Sequence, residues 1–80
     1  MKIKVLGSGC SKCKKLYAEI QRITEKSYPE SSVEYITDIS EILSYKILST
    51  PGIVIDEKVT SSGTVPSEKE IIEILEQHKN

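Results

Sequence analysis

Apolar and polar residues follow one another along this chain in patterns that predict four strands and three helices. Residues 2–6 alternate polar and apolar side chains, as a strand does, and Gly7 to Gly9 interrupt them. From about Cys10 to Ser27, apolar residues recur at spacings of three and four, which predicts a helix with one packed face. That face consists of Cys13, Leu16, Tyr17, Ile20 and Ile23.

The middle of the chain predicts a second strand over residues 33–37 and a short helix after it. Asp38 is expected to cap this helix, and Glu41 follows at the spacing of a capping box. We expect the helical turns to fade near Tyr45–Leu48. The expected buried side of the helix is formed by Ile39, Ile42 and Leu43.

The last third predicts a hairpin and a final helix. The run Ile53-Val54-Ile55 is β-branched throughout, which suits a central strand covered on both faces. A tight turn at Asp56-Glu57 leads into an edge strand over residues 58–62. Along this strand Lys58, Thr60 and Ser62 are expected on one side, and Val59 and Ser61 on the other. The final helix starts at Pro66 and Ser67, with a second capping box between Ser67 and Glu70. Its expected packed face is formed by Ile71, Ile72, Ile74 and Leu75.

The element order β-α-β-α-β-β-α predicts an α/β fold with a four-stranded mixed sheet flanked by helices. The first two strands are joined through a helix and are therefore expected to be parallel, whereas the hairpin is antiparallel. With 80 residues, we expect one domain spanning residues 1–80. A domain this small buries only about 60% of its unfolded surface, so its stability margin is thin.

Charge and apolar run length exclude two classes of protein. The net charge of −1 argues against a generally basic nucleic-acid binder. No apolar run approaches the roughly 20 residues of a membrane-spanning helix, so we expect no membrane partner. The start of the chain does not read as a signal peptide, and we expect a cytoplasmic protein, whose thiols are kept reduced. Residues 1–18 nevertheless carry five lysines and no acid.

One constellation indicates a chemistry, the motif Cys10-Ser11-Lys12-Cys13. Residues three apart on a helix have Cβ atoms about 5–6 Å apart, and a disulfide accepts Cα separations of about 4.4–6.8 Å. The pair can therefore open and close with little backbone movement. It is too closely spaced to stabilise distant parts of the fold, and with His78 it offers one ligand too few for a closed structural zinc site.

The two thiols are expected to differ in reactivity. Cys10 would lie at the start of a helix, where free N–H groups and the side chains of Lys12, Lys14 and Lys15 favour a thiolate, toward a pKa of about 3.5–7.5. Cys13 would lie on the apolar face, where its thiolate is disfavoured. Cys10 is then the nucleophile and Cys13 the resolving thiol. A lone motif of this kind is also compatible with a metal half-site, but its position after a strand and turn favours redox chemistry.

Four stretches together resemble the thioredoxin-like superfamily, and most closely its small members of about 80 residues from archaea and bacteria. They are Ile3 to Cys13, Ser49-Thr50-Pro51, Val54 to Val59, and Gly63 to Ser67. Two departures lie close to the motif: thioredoxin has Trp where Gly9 stands, and Gly-Pro where Ser11-Lys12 stands. In the small family we would also expect glycine at Glu57 and near Lys46.

The resemblance implies a thiol–disulfide oxidoreductase whose redox centre is the Cys10–Cys13 disulfide, with no other cofactor. It implies that Pro51 is a cis-proline and that Thr50 with Pro51 forms the wall that a substrate segment meets. The implied partners are disulfide-containing proteins or small thiols, with an electron donor such as a thioredoxin-reductase-like flavoprotein. We expect a monomer.

Two alternatives stay open at the level of sequence. Soft-metal carriers for copper or zinc also place two cysteines after a first strand, although they usually have Met where Ser8 stands and end in a strand. A glutathione-linked, glutaredoxin-like protein is the other, with lysines holding the tripeptide's carboxylates.

Tyr17 is expected to pack near Cys13, and His78 is expected to be a solvated residue at the end of the last helix. Tyr28, Tyr35 and Tyr45 carry no evident chemistry.

Overall fold

The computed structural model describes residues 1–47 and 49–78, and in this part of the chain it contains the elements expected from the sequence, in the expected order. They are β1 (Lys2–Leu6), α1 (Ser11–Ser27), β2 (Ser32–Ile36), α2 (Ile39–Ser44), β3 (Gly52–Ile55), β4 (Lys58–Ser62) and α3 (Glu68–His78). The strands β2 and β3 each begin one residue earlier than expected. Leu48, placed by the sequence at the fading end of the second helix, lies outside the described residues, as do Lys79 and Asn80.

The four strands form one mixed sheet in the order β2-β1-β3-β4. β1 runs parallel to β2 and antiparallel to β3, and β3 runs antiparallel to β4. Val5 in β1 pairs with Tyr35 on one side and with Ile53 on the other. This topology confirms the predicted α/β class with a four-stranded mixed sheet.

The sheet is covered on both faces because alternate side chains of a strand point to opposite sides. The face toward α1 and α3 carries the larger buried cluster: Ile3, Val5, Leu16, Ile20, Ile23, Ile53, Ile55, Ile71 and Leu75. The face toward α2 carries a smaller one: Leu6, Ile42, Ile47 and Val54. The three apolar residues of β3 are all buried, which confirms the interpretation of that run as a central strand.

The predicted buried side of α2 is wrong at two of its three positions. Ile42 is buried, but Ile39 and Leu43 are 68% and 61% exposed. The helix has only six residues and contacts the sheet through one side, and Ile39 and Leu43, four residues apart, share another. Asp38 does cap the helix, since its Oδ1 accepts from the Ser40 amide at 2.9 Å.

The same geometry corrects one position in α3. Ile72 is 40% exposed, whereas Ile71 and Leu75 are buried and Ile74 is partly buried against the larger cluster. At 3.6 residues per turn, neighbouring residues point about 100° apart, so Ile71 and Ile72 cannot both face the sheet. The capping box is formed reciprocally: the Ser67 amide donates to Glu70 Oε1 at 3.0 Å, and the Glu70 amide donates to Ser67 Oγ at 3.2 Å.

The predicted alternation along β4 fails at a β-bulge. Ile53 pairs with Ser61 and Val54 pairs with Val59, which leaves Thr60 as an extra residue. The Thr60 hydroxyl donates to the Ile53 carbonyl oxygen at 3.2 Å. The bulge puts Val59 opposite Val54 and Ser61 opposite Ile53, on opposite faces of the sheet, and Val59 is exposed on this edge strand.

The two positions at which glycine was expected have left-handed backbone. Lys46 has a φ of 60° and Glu57 a φ of 70°. Glu57 also holds a side-chain network: Lys4 Nζ lies 3.0 Å from Glu57 Oε1 and donates to the Tyr45 hydroxyl at 2.8 Å, and Tyr45 donates to Glu57 Oε2 at 2.9 Å. The network fastens the hairpin turn and the segment after α2 to β1.

Candidate active site

Both cysteines lie where β1 passes into α1. Gly9 has a φ of 89°, a left-handed conformation that glycine adopts readily, and this turn brings Cys10 to the N-cap of α1. Cys10 is exposed, whereas Cys13, one turn into the helix, is 0% exposed. Cys10 Sγ accepts from the Cys13 amide at 3.4 Å, in the manner of a capping side chain.

The two thiols are free, and their sulfur atoms lie 2.6 Å apart. The pKa of Cys10 is lowered, first by a hydrogen bond from the Cys13 thiol and then by one from the Cys13 amide. The pKa of Cys13 is raised, first by burial and then by its neighbour Cys10. The structure therefore favours ionisation of the exposed sulfur over ionisation of the buried one.

Lys12 and Lys14 are both exposed on α1. The Lys12 contribution to lowering the pKa of Cys10 comes from its backbone amide. Tuning of Cys10 by the two ammonium groups stays a prediction.

The Thr50–Pro51 segment lies beside the thiols. Its peptide bond is cis, and Pro51 is buried. Burial raises the pKa of Cys13, and hydrogen bonds from the Ser8 backbone and from the Thr50 side chain partly offset this by lowering the pKa. The Pro51 carbonyl accepts from the Gly63 amide at 2.9 Å, which joins this segment to the end of β4.

A groove of about 510 Å³ runs along this segment. Its lining residues are Lys12, Lys15, Thr50, Pro51, Gly63, Thr64 and Val65. The structure thus brings Thr50, Pro51 and Lys12 together next to the cysteines, while Lys14 is not among the residues that line the groove.

Gly7 has a role that the sequence did not show. A Cβ atom at this position would lie 2.6 Å from both Cβ and Sγ of Cys13 and 3.3 Å from Cε1 of Tyr35. Glycine is therefore what lets the buried thiol and the Tyr35 ring approach the end of β1 this closely. The Tyr35 ring also stacks on Tyr17, with centroids 5.1 Å apart and planes 19° apart.

Tyr35 was missed because its neighbours come from the register between β1 and β2, which composition does not reveal. The available signal was strand alternation, which puts Tyr35 on the same side as Val33. In the structure both pack against the cluster that includes Leu16 and Ile20 of α1.

The described residues contain neither a metal-binding cluster nor a membrane-spanning helix. Across residues 1–47 and 49–78, no three His, Cys, Asp or Glu side chains come together as a metal-binding group. None of the helices in these ranges has both the length and the apolar character needed to span a bilayer. His78 is half-buried at the end of α3, where its Nδ1 lies 2.9 Å from the Ile74 carbonyl oxygen.

Comparison with known proteins gives concordant results. Residues 1–76 match the thioredoxin domain family. A thioredoxin from Methanocaldococcus jannaschii is 30% identical over 76 residues, which cover 95% of this chain and 87% of that protein. A thioredoxin from Methanothermobacter thermautotrophicus is 29% identical over 75 residues, which cover 94% of this chain and 97% of that protein.

Proposed function

This chain belongs to the thioredoxin domain family, and from that membership we propose that its Cys10–Cys13 pair exchanges electrons with the disulfides of proteins or of small molecules. Family membership supports thioredoxin-like oxidoreductase activity in general, and the residue roles are our proposal. The observation that carries it is the contrast between two thiols three residues apart. One is exposed with a lowered pKa, and the other is buried with a raised pKa.

The contrast assigns one step to each sulfur. The Cys10 thiolate attacks a substrate disulfide, forms a mixed disulfide and expels the first substrate sulfur as a thiolate. The Cys13 thiol passes its proton to that thiolate and attacks Cys10 Sγ. The Cys10–Cys13 disulfide closes and the second substrate sulfur leaves, so that two electrons have moved from the pair to the substrate.

The groove beside Thr50 and Pro51 suits an extended substrate segment. A segment lying there can pair with backbone groups as an added strand, while its disulfide meets the exposed Cys10 sulfur. Lys12 and Lys15 line the same groove and favour a substrate with acidic groups near its disulfide.

No further cofactor is needed in this scheme, because the disulfide itself carries the two electrons. Regeneration requires an external two-electron donor, and we propose a thioredoxin-reductase-like flavoprotein, with glutathione as the alternative. Comparison of reduction rates by the two donors distinguishes them. A reducing compartment such as the cytoplasm suits a pair that must return to the dithiol, and we propose that the protein works there as a monomer.

Replacement of Cys13 by Ser tests the exchange mechanism. With no resolving thiol, the mixed disulfide on Cys10 should persist and be recovered with its substrate from a non-reducing extract. The matched control is Cys10→Ser, which retains the buried thiol and should trap nothing. Absence of any adduct on the Cys13→Ser variant would count against the proposal, and stoichiometric copper or zinc on the native dithiol by mass spectrometry would favour a metal carrier.

A further inference from the structure

The Tyr35 hydroxyl is buried and has no hydrogen-bond partner among the described residues. The other tyrosines differ: the hydroxyl of Tyr17 accepts from Gln21, that of Tyr28 donates to Glu76, and that of Tyr45 donates to Glu57. A buried polar group without a partner lowers stability, so its retention calls for an explanation. The surroundings of the Tyr35 ring supply one.

The ring and the buried thiol lie beside the same backbone position. Tyr35 Cε1, the ring carbon next to the one that bears the hydroxyl, and Cys13 Sγ both lie against the point in front of Gly7 where a side chain is missing. Stacking on Tyr17 fixes the plane of the ring. The pKa of the Tyr35 hydroxyl is raised, first by burial and then by the negative charge that Cys13 carries as a thiolate. Contacts with the Gly9 backbone and the Cys13 side chain, both outside ordinary hydrogen-bond geometry, also act on this pKa, as does the charge of Cys10.

We propose that the Tyr35 hydroxyl donates a hydrogen bond to the Cys13 thiolate while that thiolate attacks the mixed disulfide. The inference rests on the proposed function and adds a positioning residue to it. In the reduced protein the Cys13 thiol has Cys10 as its acceptor, and the Tyr35 hydroxyl lies near Cys13 and the Gly9 backbone without a hydrogen bond of ordinary geometry. Once Cys10 is bonded to substrate and Cys13 has lost its proton, the buried sulfur bears a charge that only nearby donors can stabilise.

Tyr35 acts in this scheme as a donor and not as a base. Its raised pKa keeps the hydroxyl protonated at neutral pH, and the Cys13 proton goes to the expelled substrate thiolate. Ser8 and Thr50 already offer hydrogen bonds that lower the pKa of Cys13. Tyr35 adds a third donor on the side of β2, and the titratable groups that face its hydroxyl are the two thiols.

The test is Tyr35→Phe, which keeps the ring and its stacking and removes only the hydroxyl. The probe is the aromatic disulfide dithiobis(nitrobenzoate), which releases one coloured thiolate when Cys10 attacks and a second when Cys13 resolves. Because this thiolate is a weak base, the Cys13 proton passes to solvent in the assay. We expect the first phase to be unchanged and the second to slow about tenfold, because hydrogen bonds to charged groups are worth about one pKa unit or more. The Cβ chemical shift of Cys13, followed by NMR over pH, should show a pKa raised by about one unit.

Tyr17→Phe is the matched control, since it removes the hydroxyl of the other stacked ring and should leave both phases unchanged. Thermal unfolding of reduced Tyr35→Phe should show a midpoint at or above that of the unsubstituted protein, because an unpartnered buried hydroxyl has been removed. Equal second phases and equal Cys13 pKa values in Tyr35→Phe and the unsubstituted protein would overturn the inference. Release of only one coloured thiol by the unsubstituted protein would instead overturn the exchange mechanism itself.

Discussion

At the scale of single residues, the chemistry depends on which sulfur is exposed and what donates to it. The spacing of the motif predicted a reactive Cys10 and a shielded Cys13, because helix position and apolar periodicity are local properties. It did not predict the approach of Tyr35 or the need for Gly7, since both depend on how β1, β2 and α1 pack in three dimensions.

The lowered pKa of Cys10 predicts a specific pH dependence. Its alkylation by iodoacetamide should persist well below the ordinary thiol pKa of about 8.5 and fall off only as pH drops through the lowered value. A pKa that is lower in the folded protein than in the unfolded chain also makes stability depend on pH. Ionised Cys10 stabilises the folded state above its pKa in the unfolded chain, and this contribution is lost as pH falls through its pKa in the folded protein. The rate of Cys10 labelling against pH, resolved by mass spectrometry, measures the pKa.

Two variants isolate the cause of that pKa. Cys13→Ala removes the thiol donor and should shift the Cys10 labelling profile toward higher pH. Cys13→Ser keeps a donor at the same position and should shift it less. Identical profiles for both variants and the unsubstituted protein would show that the Cys13 side chain does not set the reactivity of Cys10.

At the scale of elements, long periodic segments were predictable and short ones were not. The 17 residues of α1 repeat their apolar face often enough to identify it, and the predicted packed positions are buried or half-buried. The six residues of α2 give too few repeats, so Ile39 and Leu43 were assigned to the wrong side. The bulge at Thr60 was equally hidden, because it is a property of strand pairing.

The turn after α2 yields a stability prediction. Lys46 is exposed and has left-handed backbone, a conformation that costs a non-glycine residue about 1–2 kcal/mol. Glycine loses part of this gain through its greater freedom in the unfolded chain, so Lys46→Gly should raise the free energy of unfolding by about 0.5–1 kcal/mol. The midpoint of urea unfolding, at an unchanged slope, measures it.

The matched control for Lys46→Gly is Lys26→Gly, which places glycine at an exposed position of α1. This variant should be destabilised by up to about 1 kcal/mol, since helical backbone suits lysine better. If Lys46→Gly were destabilised as well, the left-handed conformation at Lys46 would not be a source of strain.

At the scale of the whole molecule, the near-neutral total charge conceals a positive end. The five lysines of residues 1–18 lie in the part of the chain that carries both cysteines, and all twelve acids follow it. Element order, the parallel β1–β2 pair and the antiparallel hairpin could be predicted at this scale because each strand–helix junction carries a glycine or a capping residue. The groove could not, since it is assembled from α1, the Thr50–Pro51 segment and the residues after β4.

The positive groove predicts an electrostatic effect on rate. Lys12→Glu combined with Lys15→Glu should slow the attack of Cys10 on the anionic disulfide dithiobis(nitrobenzoate) about tenfold at low salt. The difference in rate from the unsubstituted protein should shrink as salt is added. Lys26→Glu combined with Lys58→Glu changes the net charge equally but at positions that do not line the groove, and should have a much smaller effect. Equal slowing by both pairs would indicate net charge, and not the groove, as the cause.

The unequal coverage of the two sheet faces determines which part of the molecule opens at the lowest cost in free energy. The thiol turn is anchored by the larger cluster beneath α1 and α3, whereas α2, which precedes the Thr50–Pro51 segment, rests on the smaller one. Partial opening costs least where the fewest apolar contacts must be broken. A local opening around α2 would therefore displace the Thr50–Pro51 segment, and with it the Thr50 hydrogen bond to Cys13, while the cluster beneath the thiol turn stays closed.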